Sequence, residues 1–168
     1  MLQEKLPAVI SLLNSSIPHT NKTSPSEIKY YKGKARVKII YHEALNATHL
    51  RTYYNPTEAI NLFPENFDLF YTSFTNNPKI TIREICEDTP ETRHQIKLHS
   101  SHKKHLWKIL PKDIKLTAND ILIYEGKVAI INIGDKNDLS GVVLTNRDYY
   151  NNSVQLFDLL WRLLPEPE

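Results

Sequence analysis

Asp120-Ile121-Leu122-Ile123-Tyr124-Glu125-Gly126-Lys127-Val128-Ala129-Ile130-Ile131-Asn132-Ile133 is the stretch that decides the fold. Two apolar runs, each rich in residues that favour strands, flank Glu125-Gly126, and a two-residue break ending in glycine predicts a tight hairpin. The second run is apolar at successive positions. Val128-Ala129-Ile130-Ile131 therefore reads as a central strand buried on both faces. A sheet covered on both faces needs a helical layer on each, so the chain around the hairpin must supply amphipathic helices.

It does. On the C-terminal side, Gly141-Val142-Val143-Leu144 predicts a further strand. A helix from about Asn152 to Leu164 follows, with Val154, Phe157, Leu160, Trp161 and Leu164 on one face and Pro165 as its stop. On the N-terminal side, strands and helices alternate. Ile28-Lys29-Tyr30-Tyr31 is a strand closed by Gly33, and Val37, Ile40, Tyr41, Ala44 and Leu45 have helical spacing. His49 to Tyr54 is a second strand, and Phe67, Phe70, Tyr71 and Phe74 give another helical face. Lys79 to Ile85 alternates as a third strand. Asp88-Thr89-Pro90-Glu91 is a helix start, with Asp88 or Thr89 as N-cap and Pro90 in the first position. The predicted class is α/β: a single layered domain over residues 27–165, with a mixed, largely buried sheet flanked by helices.

Residues 1–16 stand apart. Leu2, Leu6, Val9, Ile10 and Leu13 fall on one face of a helix, and the turn formers of residues 17–26 separate them from the domain as a linker. A lone helix of that length is marginal in water, so its stripe needs a partner surface.

Composition narrows the function classes. The chain has 168 residues, 40% hydrophobic and 24% charged, which suits one globular domain and excludes general disorder. A net charge of +2 gives no case for a dedicated nucleic-acid or membrane-surface binder. The single cysteine, Cys86, rules out an internal disulfide and a cysteine-built zinc site. No run approaches the roughly 20 apolar residues of a membrane helix, and the N-terminus lacks a secretory signal pattern. A cytoplasmic protein without a membrane partner is expected.

One local bias is strong. Residues 93–115 carry Arg93, Lys97, Lys103, Lys104, Lys108, Lys112 and Lys115 against Asp113 alone, a local charge of +6. With Trp107 available to stack on a base, that segment is a candidate nucleic-acid contact, but no glycine-rich loop or groove-reading helix accompanies it, and a solvated charged face is the preferred reading. His94, His99, His102 and His105 crowd the same region. Imidazoles three apart on a helix can share a metal ion, but no carboxylate or cysteine nearby in sequence completes a site, so no metal and no cofactor are expected.

Several segments in order resemble the C-terminal domain of TrmB-like transcription regulators. They are Leu6-Pro7-Ala8 with Leu12-Leu13-Asn14-Ser15-Ser16, Ile28-Lys29-Tyr30-Tyr31-Lys32-Gly33-Lys34, Glu87-Asp88-Thr89-Pro90-Glu91, Ile109-Leu110-Pro111-Lys112, Ile123 to Ile131, and Leu156-Phe157-Asp158-Leu159-Leu160-Trp161. The resemblance covers nearly the whole chain. It implies a phospholipase D-like fold serving as a regulatory domain, with a connecting helix that pairs two subunits. The family's winged helix-turn-helix has no counterpart in these residues, so no direct DNA contact is expected. The resemblance also implies pairing through Leu2, Leu6, Val9, Ile10 and Leu13, as a homodimer or with a related regulator. A sugar-like effector is implied too, with Tyr54, Glu87 and Lys127 as candidate ligand-binding residues.

Phospholipase D chemistry needs His-x-Lys-x4-Asp: a histidine nucleophile, a lysine on the phosphate oxygens and a supporting aspartate. With Lys127 as the lysine, the other two positions hold Glu125 and Asn132. His102-Lys103-Lys104 also fails, because Ile109 stands where aspartate is needed. No catalytic residues and no enzymatic activity are therefore expected. A phosphodiesterase, or a nucleic-acid binder working through residues 93–115, is the alternative.

Overall fold

The computed structural model describes residues 25–64, 72–73, 76–116, 119–134 and 137–167. Along these run β1 (Glu27–Lys32), α1 (Lys34–Leu45), β2 (His49–Tyr54), α2 (Pro56–Leu62), β3 (Thr81–Cys86), α3 (Pro90–His99), β4 (His105–Ile109), β5 (Asn119–Tyr124), β6 (Lys127–Asn132), β7 (Ser140–Thr145) and α4 (Arg147–Leu163). The Leu2–Leu13 stripe, most of the linker, and the Phe67, Phe70, Tyr71 and Phe74 face lie outside the described residues.

The strands form one mixed sheet in the order β1-β7-β6-β5-β2-β3-β4. β2, β3 and β4 are parallel, and every other neighbouring pair is antiparallel. Each parallel connection passes through a helix, whereas β5, β6 and β7 follow one another as a meander, which needs none. The Glu125-Gly126 turn has φ of 41° and 79°, the left-handed values of a two-residue hairpin whose twist matches its strands. Glycine takes such a φ at no steric cost; Glu125 is held there by its side chain, which accepts a hydrogen bond from Thr48 N at 2.9 Å.

Helix starts follow the side-chain oxygens that cap them. Thr89 Oγ1 accepts from Thr92 N at 3.1 Å with Pro90 next, as the sequence predicts. Asn146 Oδ1 accepts from Tyr149 N at 2.8 Å, and this cap starts α4 at Arg147, five residues before the predicted Asn152. A polar first turn, Arg147-Asp148-Tyr149-Tyr150, hides the start from an apolar-periodicity reading. β4 is likewise absent from the sequence-based expectations. It is an edge strand whose lysine and histidine disguise the alternation.

Helices lie on both faces. On the first, α1 and α2 close a core of Val37, Ile40, Tyr41, Leu50, Phe63, Ile82, Leu122, Ala129 and Ile131. There Gly141 lets β7 approach α1, since a Cβ at that position would lie 2.5 Å from Ile40 Cδ1. On the second face α4 packs Phe157, Leu160, Trp161 and Leu164 on Ile85, Ile123 and Val128. Among the described residues one helix lies on this face, and it does not cover all the strands. Ile130 is 41% exposed, which corrects the expectation that β6 is buried on both faces along its whole length. No helix among the described residues is long and apolar enough to cross a membrane.

Candidate functional site

The hairpin end of the sheet holds two of the three positions of the phosphodiesterase-like pattern, Glu125 and Lys127. Lys127 opens β6 beside Thr145 of β7, and its ammonium pairs with the Glu43 carboxylate from α1. Tyr124 is buried next to it, and that burial, with Glu43 close by, pushes its phenol well above the usual value. Glu125 is committed to the turn through Thr48. Asn132 lies at the far end of β6, where its amide donates to Asp138 O and its oxygen accepts from Gly134 N. The chemical content of this end is thus one lysine held by one carboxylate.

The opposite end of the sheet, where β2 and β3 finish, holds a buried acid that the sequence reading missed. Asp120 is fully inaccessible, accepts from Tyr41 Oη at 2.6 Å and from Asn55 N at 3.1 Å, and is raised to about 7 by burial. Thr52, Glu84 and Cys86 are buried on the same face. The Cys86 thiol is pushed well up, first by burial and then by Glu84 and Asp120. The signal was present: an aspartate in register with Leu122 and Tyr124 on an apolar strand must turn inward with them.

Tyr54 ends β2 at this site, and burial with Asp120 nearby raises its phenol well above normal. Glu87 follows β3 and turns to the 115–116 segment, accepting from Leu116 N at 2.7 Å and pairing with Lys115 at 3.2 Å. Tyr124, the partner of Lys127, is four residues along β5 from Asp120, about 13 Å at the usual strand rise. The three candidate ligand residues therefore do not line one site: Tyr54 and Glu87 share an end, and Lys127 occupies the other.

The four histidines do not all share a helix: His94 and His99 are on α3, and His102 and His105 lie beyond it. α3 stops at His99, and His105 opens β4, so the two rings meet across a turn with centroids 4.9 Å apart. Glu84 Oε1 lies 3.3 Å from His105 Nε2, bringing in a carboxylate that is distant in sequence. His99 is lowered to about 4 by burial and by the neighbouring His105 and His102. Among the described residues no three histidine, cysteine or acidic side chains are arranged to hold a metal ion.

Much of the basic segment is spent internally. Arg93 pairs with Asp88, Lys108 with Glu166 and Lys115 with Glu87, while Lys104 donates to Pro78 O. Trp107 is 6% exposed and offers no platform for a base.

On the second face, Asp158 of α4 holds two arginines. Its Oδ1 accepts from Arg51 Nε at 2.9 Å and from Arg83 Nη2 at 2.8 Å, and its Oδ2 from Arg51 Nη2 at 3.2 Å.

A parallel trio joined to an antiparallel meander, with helices on both faces, has counterparts among solved structures. The fold is phospholipase D-like. Nuc from Salmonella typhimurium, a phospholipase D family member, matches 86% of this chain and 99% of its own, with TM-score 0.62 and 9% identity. NucT from Helicobacter pylori matches 85% of this chain and 100% of its own, with TM-score 0.60 and 8% identity. TrmBL2, described as an archaeal chromatin protein with a novel mode of DNA binding, matches 98% of this chain with TM-score 0.59 and 12% identity. The chain spans 62% of the length of TrmBL2. No protein-family model and no curated protein matches the sequence. The expectation that the chain is no enzyme is overturned by these matches, because its fold is one that a phospholipase D family member uses.

Proposed function

We propose that the chain is a regulatory, effector-responsive domain of the TrmB type. The observation that carries this reading is the extent of the likeness. TrmBL2 takes in 98% of the chain, whereas Nuc and NucT take in 86% and 85%. In this reading Leu2, Leu6, Val9, Ile10 and Leu13 pair the domain with a second copy or a related regulator, since closed two-fold pairing is the commonest symmetric arrangement. A sugar-like effector binds at a strand end, where open α/β sheets take their ligands, with Tyr54 and Glu87 at one end or Lys127 at the other. DNA is then contacted by the partner.

Phosphodiester cleavage is the second reading, favoured by Lys127 standing at the mouth of the hairpin on a phospholipase D-like fold. One pair of measurements separates the two. Deleting the gene should change a defined set of transcripts, and restoring the chain with Leu6→Glu and Ile10→Glu together should fail to reverse the change. Turnover of bis(p-nitrophenyl) phosphate that vanishes in Lys127→Ala would overturn the regulatory reading in favour of the second.

A further inference from the structure

The second face has a feature that neither reading uses. Between α4 and the β3 side of the sheet lies a cavity of about 700 Å³, lined by Arg83, Gln155, Leu156, Asp158, Trp161 and Arg162 among others. Its charge is unbalanced. The side chains of Arg51 and Arg83 are 14% and 23% exposed, and they share the one carboxylate of Asp158. Arg162, one turn further along α4, donates its Nε to the Asp158 backbone oxygen at 3.2 Å. Lys108 is matched by Glu166. Of the charged groups lining the cavity, one carboxylate, Asp158, thus stands against two arginines, Arg83 and Arg162, and is shared with Arg51 as well. Two like charges around one acceptor repel each other, and burial sharpens that repulsion. Accordingly Arg83 is lowered, first by burial and then by Arg51.

Apart from Gln155, the remaining lining is apolar. Trp161 stacks on Phe157 with centroids 5.7 Å apart, and the Arg83 guanidinium lies 5.5 Å from the indole centroid. Leu156 and Leu159, neighbours three apart on α4, are 65% and 48% exposed, and together they form an apolar patch of the kind that marks a contact site. Guanidiniums that fork onto an anion, beside an aromatic plane and two leucines, are the parts of a site for an anion with an apolar body.

We propose that this cavity binds a small organic acid, its carboxylate or phosphate held by Arg83 and Arg162 and its apolar body lying on Trp161 and the two leucines. Such a ligand supplies the negative charge that Asp158 alone does not, and it covers the exposed leucines. The site is on the opposite face from Lys127 and is independent of the regulatory reading.

Calorimetric titration of the full chain at low salt tests this, with phenyl phosphate, benzoate, inorganic phosphate and benzyl alcohol as probes. Phenyl phosphate or benzoate should saturate below about 1 mM, and the tighter of the two assigns the head group. Arg83→Gln and Arg162→Gln should each weaken binding about tenfold. Arg162 is at the surface, so its variant keeps the test open if Arg83→Gln unfolds. Absence of saturation, unchanged affinity in Arg162→Gln, or equal binding of benzyl alcohol would overturn the proposal. So would inorganic phosphate binding as tightly as phenyl phosphate, because the apolar wall would then contribute nothing.

Discussion

The two faces of the sheet handle polar groups in opposite ways. The first face buries Asp120, Thr52, Glu84 and His105 under α1, α2 and α3, and the one of these with a resolved titration shift, Asp120, moves toward its neutral form. The second face keeps Arg51, Arg83 and Asp158 charged at the margin of a single helix, where water still reaches them. Among the described residues three helices cover the first face and one the second, and the difference follows from that. A face that is fully closed forces an acid to give up its charge or be paired, whereas a half-open face lets ion pairs persist at modest cost. It also places the ligand-sized cavity on the face with the thinner layer.

The largest expected effect marks the border between closed and open on that second face. Phe157 is fully buried between Tyr53 and Trp161, so Phe157→Ala should destabilise by about 3–5 kcal/mol. Trp161 is only partly buried and forms a cavity wall, so Trp161→Ala should cost about half as much. Urea unfolding measures both. Equal losses would mean that the cavity is closed in solution and that the two faces do not differ.

Gly141→Ala probes the closed face. Its new methyl would meet Ile40 Cδ1 in a core without space, and overpacking of this kind costs about 1–3 kcal/mol. Adding Ile40→Val removes the opposing methyl, so the double variant should regain most of the loss. A double variant no better than Gly141→Ala alone would place the strain in the backbone instead.

How far these contrasts could be read from the sequence depends on whether a signal is local. The hairpin, the Thr89 cap and the strands of the meander were readable because apolar runs, a glycine turn and a capping threonine each act within a few residues. β4 was not, since an edge strand needs only one apolar face and His105-Leu106-Trp107-Lys108 shows little of it. The site was harder still. Asp120 meets Tyr41 across 79 positions and Asp158 meets Arg51 across 107, and no spacing rule joins such pairs. Lys127 was singled out by resemblance, but its Glu43 partner, 84 positions away, was not.

Asp158→Ala tests the charged margin of the second face. It leaves Arg51 and Arg83 side by side without their carboxylate. Because all three are partly hydrated, the expected loss is about 1–2 kcal/mol, below that of a broken buried pair. The loss should shrink in 1 M salt, where screening reaches within about 3 Å. A loss that salt leaves untouched would show that this margin is as dry as the opposite face.

The smallest net effect is a pH dependence that cancels. Asp120, raised to about 7, holds a proton in the folded state that the unfolded chain has released above about 4. Its contribution therefore favours folding at acid pH and fades as pH rises from about 4 to about 7. His99, lowered to about 4, does the reverse. The unfolded chain takes up a proton below about 6.5 that the folded state refuses, so its contribution fades as pH falls from about 6.5 to about 4. Over the shared window one proton bound opposes one proton refused, and the melting temperature of the parent should change little. Each slope appears when its opponent is removed. Asp120→Asn should lose stability as pH is lowered through that window, and His99→Gln should gain it, each by at most about 1.4 kcal/mol per pH unit. The carboxylates held low, Asp88, Glu91 and Asp158, lose their contributions only as pH falls through the acid edge of the window and below it, so the comparison is read above about pH 5. If both variants tracked the parent, neither group would be titrating as its burial requires, and the closed face would be open to water.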